Sequence, residues 1–119
     1  MLELLNRLFE SREVSHAYHL QTGSHAEHVA LQTYYEAIVG LVDELVEVYQ
    51  GQFGIIEGYE MMARDINKDE MIEYFMELAT YCQSKRKEVI TEETEHLISI
   101  LDDIQILVYK TLYKLKNLK

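Results

Sequence analysis

From His28 to Tyr49 the apolar and aromatic positions step by three and four: His28, Leu31, Tyr35, Ile38, Val42, Leu45 and Tyr49. That spacing draws a single seam down a helix packed against others. Ser24 precedes the seam and Glu27 follows three residues later, the pattern of a capping box that starts a helix. Upstream, Leu4, Leu5, Leu8 and Phe9 open the stripe of a first helix expected over Leu2 to Leu20, broken by Gln21-Thr22-Gly23. Ile72, Phe75, Ala79 and Cys82 mark a third helix, expected from Lys68 to Glu88. A fourth is expected from Thr91, with its seam at Leu97, Leu101, Ile104, Val108, Thr111, Leu115 and Leu118.

Between the second and third helices the pattern fails. Gly51, Gly54 and Gly58 interrupt a shorter apolar segment, Ile55 to Ala63, which reads as a long connection containing a short helix. There is no proline in the chain, and no segment reads as a strand. The prediction is an all-α four-helix bundle, a single domain over residues 1–119, built from two tight hairpins joined by a long crossover between helices two and three. Such a crossover lets those two helices run parallel, as in ferritin-like bundles.

Composition narrows the picture. No apolar run approaches the roughly 20 residues of a membrane span, and Met1-Leu2-Glu3-Leu4-Leu5-Asn6-Arg7 lacks the basic start and apolar stretch of a signal peptide. A cytoplasmic, membrane-free protein is expected. Cys82 is the only cysteine, so it reads as a small core residue, and neither an internal disulfide nor a thiolate zinc site is available. A net charge of −10 opposes nucleic-acid phosphates and favours metal cations, so DNA is not an expected partner. Lys110, Lys114, Lys116 and Lys119 form a local basic end, where a helix C-terminus also favours cations.

Four of the five histidines flank the first turn: His16, His19, His25 and His28. With the turn centred near Thr22-Gly23, His16 and His28 come to similar heights across the hairpin, and His19 and His25 make a second such pair. Neutral imidazoles suit iron, zinc and other transition metals. The plainer reading is that His28 fills its seam position and the others are solvated. Asp43 and Glu47 lie one turn apart further along the second helix, and at 100° per residue they share an arc of about 100° with His28. Acidic runs of this kind are usually a solvated face. Asp43 is roughly 22 Å along the axis from His28, too far for one chain to bring both to one ion. Antiparallel packing of this helix on its copy, about a two-fold near Tyr35 or Glu36, sets His28 of one subunit against Asp43 and Glu47 of the other.

The hairpin from His16 to His28, followed by Asp43-Glu44-Leu45-Val46-Glu47, resembles the mini-ferritins known as Dps, the DNA-binding proteins from starved cells. Members carry a His, a second His 12 residues on, an Asp 15 beyond it and a Glu four further, matching His16, His28, Asp43 and Glu47. A second register places His19-Leu20-Gln21 on the family's His-Trp-Asn and gives His19 the first ligand role, so both histidines stand as candidates. The resemblance covers roughly residues 10 to 50. It implies an intersubunit ferroxidase site, with iron (Fe2+/Fe3+) as the metal, zinc as a possible substitute, and a homo-oligomer of at least a dimer. It also implies iron storage or oxidative protection if a closed shell forms.

The chain departs from the family in having no tryptophan beside the site, a shortened loop, no lysine-rich tail and a shorter length. The last puts a twelve-subunit shell in doubt. Small viral Dps-like proteins share this look, and for a viral member the location would be the host cytoplasm. Glu13-Val14-Ser15-His16 and Glu93-Thr94-Glu95-His96 match the Glu-x-x-His of di-iron bundles, but His96 lies off its seam and the pairs read as chance. The alternative from another class is an oligomeric helical binding or structural protein that keeps the fold without metal chemistry. A third is a zinc-stabilised bundle without redox activity.

Overall fold

The computed structural model describes residues 1–61 and 64–119. Four helices account for most of them: α1 (Leu2–Gln21), α2 (His25–Phe53), α3 (Met71–Val89) and α4 (Ile98–Asn117). Single 3-10 turns, Lys68–Glu70 and Glu95–Leu97, lead into α3 and α4. No strand occurs among the described residues.

The first hairpin closes as its sequence directs, with one change of partner. The Ser24 hydroxyl accepts the Glu27 N–H at 3.3 Å and caps α2. The Glu27 carboxylate does not reach back to the Ser24 N–H. It accepts from the Thr22 hydroxyl at 2.7 Å, and Thr22 in turn accepts the Ser24 N–H at 3.1 Å. Thr22 therefore relays the second half of the capping box.

At its other end α2 runs past Gly51 and stops at Gly54, whose φ of 98° is closed to side-chain-bearing residues. The expected connection thus begins later than its glycines suggest. Of the short helix expected at Ile55 to Ala63, residues 55–61 are not helical, and Met62 and Ala63 lie outside the described residues.

The expected start of the fourth helix is also corrected. Thr91 does not cap a helix; residues 92 and 93 sit in a turn closed by Thr94. The Thr94 hydroxyl donates to the Val89 carbonyl at 2.7 Å and accepts the Thr91 N–H at 2.8 Å, which stops α3 and delays α4 to Ile98.

Around the bundle, α1 packs on α2, α2 on α4, α4 on α3, and α3 more lightly on α1. Met1, Phe53 and Val89 line one hollow, so α1 begins where α2 and α3 end. At that end Gln52 donates to the Glu93 carbonyl at 2.7 Å, and Lys85 pairs with Glu3 and Glu88. Helices α2 and α3 therefore run in the same direction. Three described residues between them touch α1: Tyr59 meets Phe9 edge-on at 5.6 Å, the Glu60 N–H donates to Asn6, and Arg64 pairs with Glu10 at 3.2 Å.

Leu5, Leu8, Leu31, Ile38, Leu45, Phe75, Leu78 and Val108 form the driest part of the core. Each such side chain stabilises the fold by about 1.5–3 kcal/mol relative to exposure. Cys82 is buried with them, and burial pushes its thiol up to about 11. The expected α2 seam holds at Leu31, Ile38, Val42 and Leu45, whereas His28, Tyr35 and Tyr49 are half-buried at its edge. Among the described residues no helix is long and apolar enough to cross a membrane.

Candidate functional site

The α1–α2 hairpin gathers three of the four turn histidines. His19 sits near the end of α1 and is buried; His28 lies one turn into α2, half-buried. The His19 Nδ1–H donates to the His28 carbonyl at 2.7 Å, and the His28 Nδ1–H donates to the His19 carbonyl at 2.8 Å. A carbonyl oxygen can only accept, so the geometry fixes Nδ1 as the protonated nitrogen of both rings. Their planes stack, with centroids 3.6 Å apart and 20° between them. The pair forms a reciprocal clasp across the hairpin.

His16, one turn earlier on α1, stacks on Tyr35 of α2 at 4.4 Å and stands 6.0 Å from His19. Tyr35 also meets His19 edge-on at 5.3 Å. The structure thus pairs His19, not His16, with His28. His16 takes Tyr35 as its partner, and His25 is exposed at the start of α2. The sequence offers Tyr35 as a seam residue and as a marker of the α2 two-fold, not as a neighbour of the histidines; its place one turn beyond Leu31 is the available signal.

Below this cluster lies a second polar contact between the same helices. Tyr34 is fully buried and its hydroxyl lies 2.6 Å from that of Ser11. Ser11 donates to the Leu8 carbonyl at 2.7 Å, so Tyr34 is the donor of the pair. Burial, the largest influence, pushes the Tyr34 phenol well above its ordinary range. A neutral tyrosine in this position serves packing and hydrogen bonding.

Asp43 and Glu47 are exposed on the outer face of α2 and belong to no ion pair among the described residues. Since α2 is one continuous helix, Asp43 remains roughly 22 Å along it from His28. Among the described residues no three His, Cys, Asp or Glu side chains of one chain converge to hold a metal ion. The histidines come together and the acids stand apart from them.

What the cluster can offer chemically follows from the tautomer. With Nδ1 donating to a backbone oxygen, neutral His19 and His28 each keep a lone pair on Nε2. Metal-ligating histidines commonly carry this arrangement, the second nitrogen held by a carbonyl or carboxylate that orients the ring. The donor set of the hairpin fits a transition-metal ion on the imidazole side. Oxygen ligands would have to come from elsewhere.

Comparison with curated proteins and with solved structures gave no match. Residues 19–115 match the model of a family of unknown function, DUF5856, and the chain belongs to that family.

Proposed function

We propose that the chain is a Dps-like iron-binding protein that oxidises Fe(II) at a site shared between two subunits. The observation that carries the reading is the pair of Nδ1–H···O=C bonds at His19 and His28, which orients both rings and keeps Nε2 out of those bonds. In this reading His28, with His16 or His19, supplies nitrogen from one subunit, and Asp43 and Glu47 supply oxygen from its mate. Hard carboxylates favour Fe(III) once it forms, and acidic surroundings concentrate the cation. Two Fe(II) ions lose one electron each to hydrogen peroxide, which takes up two protons and leaves as two waters; oxygen is the other candidate oxidant.

The topology supports the reading at a coarser level. Two antiparallel helix pairs, joined so that α2 and α3 run in the same direction, are the plan of ferritin-like bundles. In this reading the stretch between Phe53 and Lys68 serves as the long crossover of that plan. An α2–α2 two-fold near Tyr35 or Glu36 gives at least a homodimer, with iron as substrate and zinc as its redox-silent substitute. Operation in the cytoplasm, without membrane or DNA, accords with the acidic surface.

A second reading draws on the same clasp. Stacking and the two carbonyl bonds give His19 and His28 a structural role without any metal, and the chain then serves as an oligomeric helical binding protein. Asp43→Ala separates the two. The substitution removes an exposed side chain from the middle of α2, so helicity stays unchanged within ±0.5 kcal/mol of stability. In the iron reading, oxidation of Fe(II) falls to the buffer rate; oxidation retained in full removes Asp43 and the intersubunit site with it.

A further inference from the structure

We propose that α4 is a self-association face on which a second copy of this chain docks antiparallel. The proposal stands on α4 alone and does not depend on the iron reading. Ile106, Tyr109 and Tyr113 are 50%, 50% and 59% exposed. Their spacing of three and four residues keeps them within an arc of about 60° over two turns. Single exposed apolar residues need no explanation, whereas a contiguous stripe marks an interaction surface. Met76 of α3 is itself 47% exposed. The antiparallel contacts of Arg86 with Asp102 and of Gln105 with Gln83 and Arg86 place Met76 level with the Tyr113 end of α4.

The charges toward the two ends of the stripe favour a second copy, while Lys110, exposed near its middle, falls close to its own copy and weakens the contact. Its N-terminal end carries Asp102 and Asp103, and its C-terminal end carries Lys114 and Lys116. An antiparallel copy inverts that order. With a two-fold close to Tyr109, Asp102 falls level with the partner's Lys116, Asp103 with the partner's Lys114, and Ile106 with the partner's Tyr113. The angular positions agree: at 100° per residue Asp103 and Lys114 share one edge of the stripe, and Lys116 lies on the opposite edge, toward which Asp102 leans. A two-fold keeps each edge against its own copy. Asp103 therefore meets a base on the edge where it can reach it, whereas Asp102 is shared with Arg86 of its own chain. Lysines near a helix C-terminus have a local reason to be there, but that reason does not place two aspartates one stripe-length away or the tyrosines between them.

One helix pair buries less than the ~1,200 Å² of a standard stable interface, so micromolar association is expected. The test is equilibrium sedimentation of the full chain across ~10–500 µM. Four proteins are compared: wild type, Tyr113→Glu, Asp103→Lys, and the double variant Asp103→Lys with Lys114→Asp. Asp103 and Tyr113 are exposed and Lys114 is half-buried, and circular dichroism checks that each variant folds. Wild type should self-associate, each single variant should halve the weight-average mass reached at the top of the range, and the charge-swapped double variant should restore it. A wild type that remains monomeric throughout overturns the proposal and leaves the stripe to a foreign partner. Single variants that associate like wild type, or a double variant no better than Asp103→Lys, overturn it as well.

Discussion

His28 has two nitrogens with two separable jobs, and amide isosteres can remove one at a time. Asparagine places its N–H near the position of Nδ1, so His28→Asn keeps the bond to the His19 carbonyl and loses Nε2. Glutamine places its amide near Nε2, so His28→Gln leaves the His19 carbonyl without its donor. Both lose the ring stack on His19, set at 3.6 Å between centroids, which is worth about 0.5–1.5 kcal/mol. Only His28→Gln also loses the 2.8 Å hydrogen bond, about 1 kcal/mol net, and more if the carbonyl stays dry. The two variants therefore differ by about 1 kcal/mol, or roughly 4 °C in Tm for a chain of this length. Thermal melts followed by circular dichroism measure the difference, and Fe(II) titration of the same samples measures the loss of the ligand. His28→Asn should be the more stable of the two while binding no more iron than His28→Gln. If His28→Gln proves as stable as His28→Asn, the clasp is not held by Nδ1. If His28→Asn binds iron like wild type, Nε2 is not a ligand.

Two further outcomes follow from buried polar groups. Ser11→Ala strands the Tyr34 hydroxyl donor in a dry site, at about 1–3 kcal/mol, whereas Tyr34→Phe removes the donor itself, at about 1 kcal/mol; urea unfolding should find the double variant less destabilised than the sum, and strict additivity would remove the hydrogen bond from the account. The Cys82 thiol, pushed up to about 11 from 9.0 by burial, should react with a disulfide reagent at pH 8 about 100-fold more slowly than an ordinary cysteine on thiolate fraction alone. Its folded pKa is raised, so its contribution to stability is complete below about pH 9 and declines as pH rises from 9 toward 11, by at most about 1.4 kcal/mol per unit. A Cys82→Ala variant whose stability falls as steeply as wild type across that range would assign the decline to other groups.

Much of the fold was legible because the helices are long and their apolar faces regular. Leu31, Ile38, Val42 and Leu45 could be placed in the core from spacing alone, as could Leu101, Ile104, Val108 and Leu115. Ala30 and Tyr34 were missed because α2 packs between α1 and α4, and two neighbours bury a wider arc than one seam. Element boundaries were lost where side chains rewire the backbone. Thr91 looks like an N-cap with acids after it, yet Thr94 takes its N–H and closes a turn instead. At the hairpin, sequence heights suggested His16 opposite His28. The bonds from ring nitrogens to carbonyls, which no spacing rule contains, put His19 there. The separation of His28 from Asp43 was legible, because it follows from one unbroken helix, and it is the reason that the acids need a second subunit.

An anaerobic titration of metal-free protein with Fe(II), followed by peroxide while ferric absorbance is recorded, bears most directly on the iron reading. Saturable binding at one or two irons per site, with oxidation faster than in buffer, is the predicted result. No saturable binding and no rate above buffer would contradict it, and would leave the histidine clasp as a structural element of a helical interaction protein.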